Sequence, residues 1–414
     1  MTGAPNGREV GRDEPVRQRS LREHNLALVL RHVAAGPRPV SRGDLATVTG
    51  LTRATVSGLV DELIAGSLVS EVDPLPRTGA GRPATGLALS SSGPAGLGLE
   101  INVDYLAACV LDLTGTTRLL RIRHRDQRGR TPGRVLADLA RLATTAITAA
   151  RADGLRVCGI TVGVPGLVTG DGVVRRAPNL GWQDVDVAAP LRGVADASAV
   201  TVENEANLAA LAELHAHPDP RPSFVYISGE IGVGAGLVLE GRLLRGPRGY
   251  GGELGHVTIR PDGERCRCGS RGCLETFASQ EVLMRAAGIP DSTGDPLARL
   301  KKLAEAGNRA ALSALNDAGT ALGIAAADVV NLVDVDTVVL GGIFAPLTPW
   351  LVGPVSAEIG VRTVTSSWAP VTVRAAELGT DATVIGAAGA VVRAVRDAPA
   401  AWLLTRDLGL MRVV

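Results

Sequence analysis

Three cysteines fall within eight residues, in the run Cys266-Arg-Cys268-Gly-Ser-Arg-Gly-Cys273, and His256 lies ten positions upstream of the first. Thiolates with an imidazole are the donor set that zinc prefers, and three Cys plus one His close a tetrahedral site. Gly269 and Gly272 let the backbone turn tightly enough for the sulfurs to converge. Four protein ligands leave no open coordination position, so His256, Cys266, Cys268 and Cys273 are expected to hold one structural Zn(2+) per chain. The remaining two cysteines, Cys109 and Cys158, read as small core residues. Such clustering fits a reducing compartment better than a disulfide framework.

Polar residues gather around the same motif. Glu253-Leu-Gly-His256 precedes it and Cys273-Leu-Glu275 closes it. Upstream stand Ala177-Pro-Asn179-Leu and Val202-Glu-Asn204-Glu205-Ala-Asn207. Each residue alone reads as a surface or capping group. Converging in one cleft, they would suit a polyol, because carboxylates and amides pair with vicinal hydroxyls.

These groups need a frame. A chain of 414 residues suggests two or three domains, and 45% hydrophobic residues are enough for sizeable cores. The net charge of +1 excludes a field that is basic or acidic throughout, so any nucleic-acid contact must be local. Aromatics at 2% exclude base-stacking platforms. The first twenty residues contain no apolar signal core, and the apolar stretch Val329 to Leu347 is broken by Asp334 and Asp336. No membrane segment is expected, and the cytoplasm is the default location.

Residues 1–20 are polar and charged and read as a disordered tail. Residues 21–90 read as a winged helix-turn-helix. An amphipathic helix ends at Gly36-Pro37, Ser41 caps a second over Arg42 to Val48, and a third runs Arg53 to Ala65. Two alternating strands, Leu68 to Val72 and Thr85 to Leu89, flank a Pro/Gly/Arg loop. The first 60 residues hold nine Arg against five acids. Ser41, Thr52, Arg53, Thr55 and Ser57 are candidate DNA contacts of the second and third helices. Arg82, in Gly81-Arg82-Pro83, is a candidate for the minor groove. One such unit binds weakly, so a dimer on a pseudo-palindromic operator is expected.

Residues 90–96 read as a linker. Beyond it, strand-like runs followed by an Ala/Leu helix recur, which suggests two related α/β lobes, 97–200 and 201–397, and a short C-terminal tail, 398–414.

Over residues 21–395 the chain resembles the ROK family of transcriptional repressors and sugar kinases, through Glu253-Leu-Gly-His256 and Cys266-x-Cys268-Gly-x-x-Gly-Cys273-x-Glu275. The resemblance implies a winged helix followed by a two-lobed, actin-like and ribonuclease-H-like sugar-kinase fold. It implies that His256 serves both the metal and the sugar. Asn204, Glu205, Glu253, His256 and Glu275, with Asn179 beside them, become the expected effector contacts. Gly163-Val164-Pro165-Gly166 would help frame the cleft. The family's kinases carry Asp-x-Gly-Gly-Thr and Gly-Thr-Gly-Ile-Gly phosphate loops and an Asn-Asp-Ala-Asn base motif. The matching segments here read Glu100-Ile101-Asn102-Val103-Asp104, Glu230-Ile231-Gly232-Val233-Gly234 and Asn204-Glu205-Ala206-Asn207. The expectation is therefore a sugar-responsive repressor without kinase activity, acting as a homodimer or homotetramer on operator DNA. The alternative is an ATP-dependent sugar kinase with an appended DNA-binding arm.

Overall fold

The computed structural model describes residues 18–36, 38–73, 85–194, 199–216, 221–290 and 294–410. It divides into two compact units, Met1–Pro94 with Arg393–Val414, and Ala95–Val392. Most of the expected N-terminal tail, and the wing loop with Arg82, lie outside the described residues.

The first unit opens with α1 (Gln18–Ala35), α2 (Arg42–Thr49) and α3 (Arg53–Ala65). The Ser41 hydroxyl accepts from the Asp44 amide at 3.1 Å and Asp44 bonds back, which starts α2 with a reciprocal cap. Gly50, at φ 71°, ends it in the left-handed region that glycine enters freely. Thr52 starts α3 by accepting from the Thr55 amide at 3.2 Å. The strands β1 (Val69–Val72) and β2 (Gly86–Leu89) form an antiparallel pair with Val69 opposite Leu89. Val56, Leu59, Val60 and Leu63 of α3 are buried with Leu26 and Leu30 of α1. This is the expected helix-turn-helix. The expected C-terminal tail differs: Pro399–Leu410 is helical and belongs to this unit. Its Trp402 is buried, and the indole N–H donates to the Gly66 carbonyl at 2.9 Å, satisfying an end of α3.

The second unit holds two sheets of the same design. The strands β3 (Gly93–Ile101), β4 (Tyr105–Asp112) and β5 (Thr117–His124) form an antiparallel meander. Next come α4 (Pro132–Ala152) and β6 (Leu155–Val164). A small three-stranded sheet is made by β7 (Leu167–Val168), β8 (Val173–Ala177) and β9 (Trp182–Asp186). Then follow β10 (Val200–Asn204) and α5 (Glu205–Ala216). The first large sheet has the order β10-β6-β3-β4-β5.

The pattern then repeats. A meander of β11 (Phe224–Gly229), β12 (Val233–Leu239) and β13 (Arg242–Leu243) precedes α6 (Glu275–Ala278), α7 (Gln280–Ala286), α8 (Pro296–Glu305) and α9 (Arg309–Val333). After these come β14 (Thr337–Gly342), α10 (Thr348–Arg362), β15 (Thr372–Ala375) and α11 (Ala382–Asp397). The second sheet runs β13-β12-β11-β14-β15. In both sheets the first strand is central, the next two lie on one side and the last two on the other. The internal duplication, faint in sequence, is plain in topology.

Two expected boundaries move. β10 pairs with β6 from Val200 opposite Ile160 to Asn204 opposite Val164, so the first sheet runs past residue 200. The segment read as a linker is already strand at Gly93, and Ala95 pairs with Asp112. Its small residues serve packing: a Cβ at Gly96 would collide with the Ala388 carbonyl of α11, which returns from the chain's end to cover β3. Among the described residues no helix is long and apolar enough to cross a membrane.

Candidate functional site

A cleft opens where β10 hands over to α5. Asn179, Asn204, Glu205, Glu253, His256 and Glu275 all line it. The six residues come from widely separated segments, and the structure brings them together.

Asn204 is fixed by the start of α5. Its Oδ1 accepts from the amides of Ala206 (2.9 Å) and Asn207 (3.2 Å), while its Nδ2 donates to the Gly166 carbonyl (3.2 Å) and to Glu205 (3.0 Å). It is a helix cap that holds Glu205 in the cleft. Glu275 faces Gly232, where a Cβ would meet its carboxylate and come within 3.0 Å of Asn179 Nδ2. Asn179 Oδ1 accepts from Arg267 at 3.4 Å, and that guanidinium also binds Glu281 at 2.8 Å.

Beside the cleft, single ligand atoms of His256, Cys266, Cys268 and Cys273 lie within 4.8 Å of one another, an arrangement able to hold a metal ion. Cys268 Sγ and Cys273 Sγ are 3.8 Å apart, and Cys266 Sγ is 3.8 Å from His256 Nδ1. Zn–S bonds of about 2.3 Å in a tetrahedron separate two sulfurs by roughly 3.8 Å, so the donor set fits zinc. The left-handed Gly269 (φ 103°) and Gly272 (φ 61°) make that convergence possible. With Nδ1 turned to the sulfurs, Nε2 of His256 faces Glu253 at 3.9 Å on the cleft side.

The opposite end has a different character. Asn102 Nδ2 donates to Glu230 Oε2 at 3.3 Å, joining the loop after β3 to the loop between β11 and β12. Behind them Glu100 is buried. Its Oε1 accepts from the Tyr105 hydroxyl at 2.8 Å, and among the described residues its Oε2 has no hydrogen-bond partner. Burial, reinforced by Glu230, pushes the Glu100 carboxyl up to about 8. Burial likewise lifts Glu230 to about 7. Glu205 is raised well above the usual carboxylate range, again chiefly by burial, with Glu253, Glu230 and Glu100 adding to it. Burial also raises Glu253.

In the first unit, Arg53 and Thr55 stand exposed at the start of α3 and Ser57 is half-buried. The Thr52 and Thr55 hydroxyls bond each other at 2.9 Å. Ser41 Oγ lies 2.7 Å from Asp44 Oδ2. Ser41 and Thr52 are thus occupied as caps.

The sequence profile of the ROK family matches residues 96–394, most of the chain. The chain belongs to the ROK family. The MarR family profile matches residues 27–77, which covers the ROK chain's helix-turn-helix. The xylose repressor of Bacillus subtilis (strain 168) is 28% identical over 91% of this chain and 96% of its own length. That of Caldicellulosiruptor bescii is 30% identical over 78% and 83%. The kanosamine kinase of Amycolatopsis mediterranei is 34% identical over 58% of this chain and 79% of its own. Among solved structures, a ROK family transcriptional regulator described as a homologue of the E. coli MLC protein superposes with TM-score 0.76. It is 26% identical and covers 93% of this chain and 98% of its own. A ROK glucokinase from Streptomyces griseus, bound to glucose and AMPPNP, superposes with TM-score 0.62 at 25% identity, covering 72% of this chain and 98% of its own. The winged helix followed by the ROK sugar-kinase fold is therefore the architecture of this protein.

Two features of this ROK cleft had no local signal. The Asn102–Glu230 bond joins residues 128 positions apart. Arg267, inside the cysteine motif, steadies Asn179 from 88 positions away.

Proposed function

We propose that this chain is a sugar-responsive, DNA-binding transcriptional repressor whose kinase-like unit binds a sugar without phosphorylating it. The observation that carries this reading is the coexistence of a MarR-type helix-turn-helix and a ROK cleft on one chain. Resemblance to repressors along nearly the whole length supports it. Asn179, Glu205, Glu253, His256 and Glu275 would contact the sugar, with carboxylates accepting from its hydroxyls and Asn179 donating to them, while Asn204, its own polar atoms engaged, would hold Glu205 for that contact. His256, Cys266, Cys268 and Cys273 would hold one structural zinc ion, which fixes the His256 ring so that Nε2 is presented to the cleft. Arg53, Thr55 and Ser57 would read operator DNA, supported by Arg82. The protein would work in the cytoplasm as a homo-oligomer on a pseudo-palindromic site.

In the proposed switch, sugar favours one closure of the two lobes and that closure changes operator affinity. By linkage the sugar then binds the DNA-free and DNA-bound forms differently, and a coupling of roughly 1–3 kcal/mol suffices. Fluorescence anisotropy of the full chain on its own upstream DNA, at fixed salt, tests this. Specific binding that one sugar shifts supports the reading, and saturating sugar that leaves affinity unchanged sinks it.

The kinase alternative is favoured by likeness to kinases, including the 34% identity to a kanosamine kinase and the superposition on a ROK glucokinase. Against it, Glu100 and Glu230 occupy the segments that match the phosphate loops, and Glu205 stands where the kinases carry Asp. ATP phosphates there would meet carboxylates in place of a backbone cradle. An ADP-release assay with glucose, N-acetylglucosamine and xylose decides. Turnover above a Glu205→Ala control would establish the kinase.

A further inference from the structure

We infer that β5 is a docking edge for an extended protein segment of alternating acidic and apolar residues, which would join the first large sheet as a further strand. The surface lies away from the cleft, whose lining contains no residue of β5.

β5 ends the order β10-β6-β3-β4-β5, so only its inner side is bonded, to β4. Its outer side presents the row of N–H and C=O groups that an edge strand leaves open. Its eight residues, Thr117–His124, extend over about 26 Å.

Register separates its two faces. Arg121 stands opposite Ala108 and Arg123 opposite Leu106, both part of the core that α4 covers. Leu120 stands opposite Cys109 and Ile122 opposite Ala107, on the other face. The two arginines are exposed, and Leu120 and Ile122 are 38% and 39% exposed. Neighbouring arginines are engaged: Arg118 with Asp112 at 3.3 Å, Arg125 with Asp138 at 3.5 Å and Arg128 with Asp126 at 2.9 Å, whereas Arg121 and Arg123 have no ion-pair partner among the described residues.

This pattern selects the occupant. A second copy pairing antiparallel through β5 would set arginine against arginine on one face, which is destabilising. Charged edges deter such self-pairing, and the same charge favours an acidic partner. DNA would meet the guanidinium groups but leave the strand edge, Leu120 and Ile122 unused. An added strand satisfies all three, with carboxylates over Arg121 and Arg123, apolar side chains over Leu120 and Ile122, and main-chain bonds along the edge.

Fluorescence anisotropy of the full chain with labelled eight-residue peptides tests this. A peptide alternating Glu with Val should bind, and one with the same residues in two blocks should bind at least about tenfold more weakly. N-methylation of the Glu amides and of the Val amides, in separate peptides, blocks opposite edges, so one should lose binding and the other keep it. Arg121→Glu with Arg123→Glu should weaken the alternating peptide about tenfold or more and favour its Lys-for-Glu counterpart. Absence of binding, equal binding of the block peptide, or indifference to both methylations would overturn the inference. Unchanged peptide binding in the double variant, with weaker binding to scrambled duplex DNA, would assign the arginines to nucleic acid and overturn it as well.

Discussion

The polar side chains of the helix-turn-helix and those of the ROK cleft have opposite fates. In the first unit Ser41 and Thr52 are consumed by the fold, each capping the helix it precedes. In the second, Glu205, Glu253, His256 and Glu275 converge on open space, and Asn204 is used internally to hold Glu205 in place. A small helical unit has many helix ends and few spare polar groups, so its short hydroxyls go to unsatisfied amides. A cleft between two sheets can gather groups that burial and mutual repulsion would otherwise keep apart. The contrast teaches that residue type and spacing mark a polar position, while its neighbours decide whether it serves the fold or a ligand.

The largest expected effect attacks the cleft through its scaffold. On the proposed zinc site, Cys268→Ser should take the metal content from about one ion per chain to none, measured by elemental analysis of the purified protein. Sugar affinity should fall about 10–100-fold, because His256 and Glu275 lose a fixed frame. Unchanged metal content would remove the metal from the comparison.

A second test concerns the buried end of the cleft. An unfolded glutamate ionises near 4.5, whereas Glu100 in the fold keeps its proton to about 8. Between those values the folded protein binds the extra proton, so stability falls as pH rises. The slope is up to about 1.4 kcal/mol per pH unit. Glu100→Gln should make the fall in stability between pH 5 and 8 shallower in denaturant titrations, the raised Glu205 and Glu230 carboxyls supplying the slope that remains. It retains an acceptor for the Tyr105 hydroxyl. A variant with the wild-type pH profile would show that Glu100 ionises without cost.

Much of this was legible in the sequence. Type and spacing mark the four metal candidates, the resemblance to the ROK family marks the six cleft residues, and each set meets in space. The three helices of the first unit announced themselves through Ser41, Gly50 and Thr52. What was not legible depends on distant partners. Trp402 looks like part of a terminal tail until its indole meets Gly66, 336 positions away. The strand at Gly93 looks like a linker because its small residues answer to α11. Asn102 and Glu230 read separately as departures from phosphate loops, and only the fold shows them bonded. Local pattern reports propensity, and long-range burial overrides it at these places.

A third, smaller effect separates readers from caps. Arg53 stands exposed on α3 with its charge outward. Arg53→Ala should weaken operator binding by about 1–3 kcal/mol at fixed salt, with little change in unfolding midpoint. Anisotropy on operator and scrambled DNA would tell base reading from phosphate contact. A loss confined to operator means base reading, and a parallel loss on both means phosphate.

The smallest effect is the mirror image of that one. Ser41 accepts from the Asp44 amide, and Asp44 accepts from the Ser41 amide at 3.0 Å. Removing the hydroxyl leaves one orphan donor at the start of α2. Ser41→Ala should therefore cost about 1 kcal/mol of stability in the first unit. Ser41→Asp, which keeps an acceptor at the cap, should recover most of that loss even though it adds a negative charge on the side proposed to face DNA. If Ser41 instead contacts a phosphate, the order reverses: alanine would leave the unfolding midpoint in place, and aspartate would weaken DNA binding more than alanine does. The two variants measured together, for stability and for operator affinity, assign the hydroxyl to the fold or to the DNA.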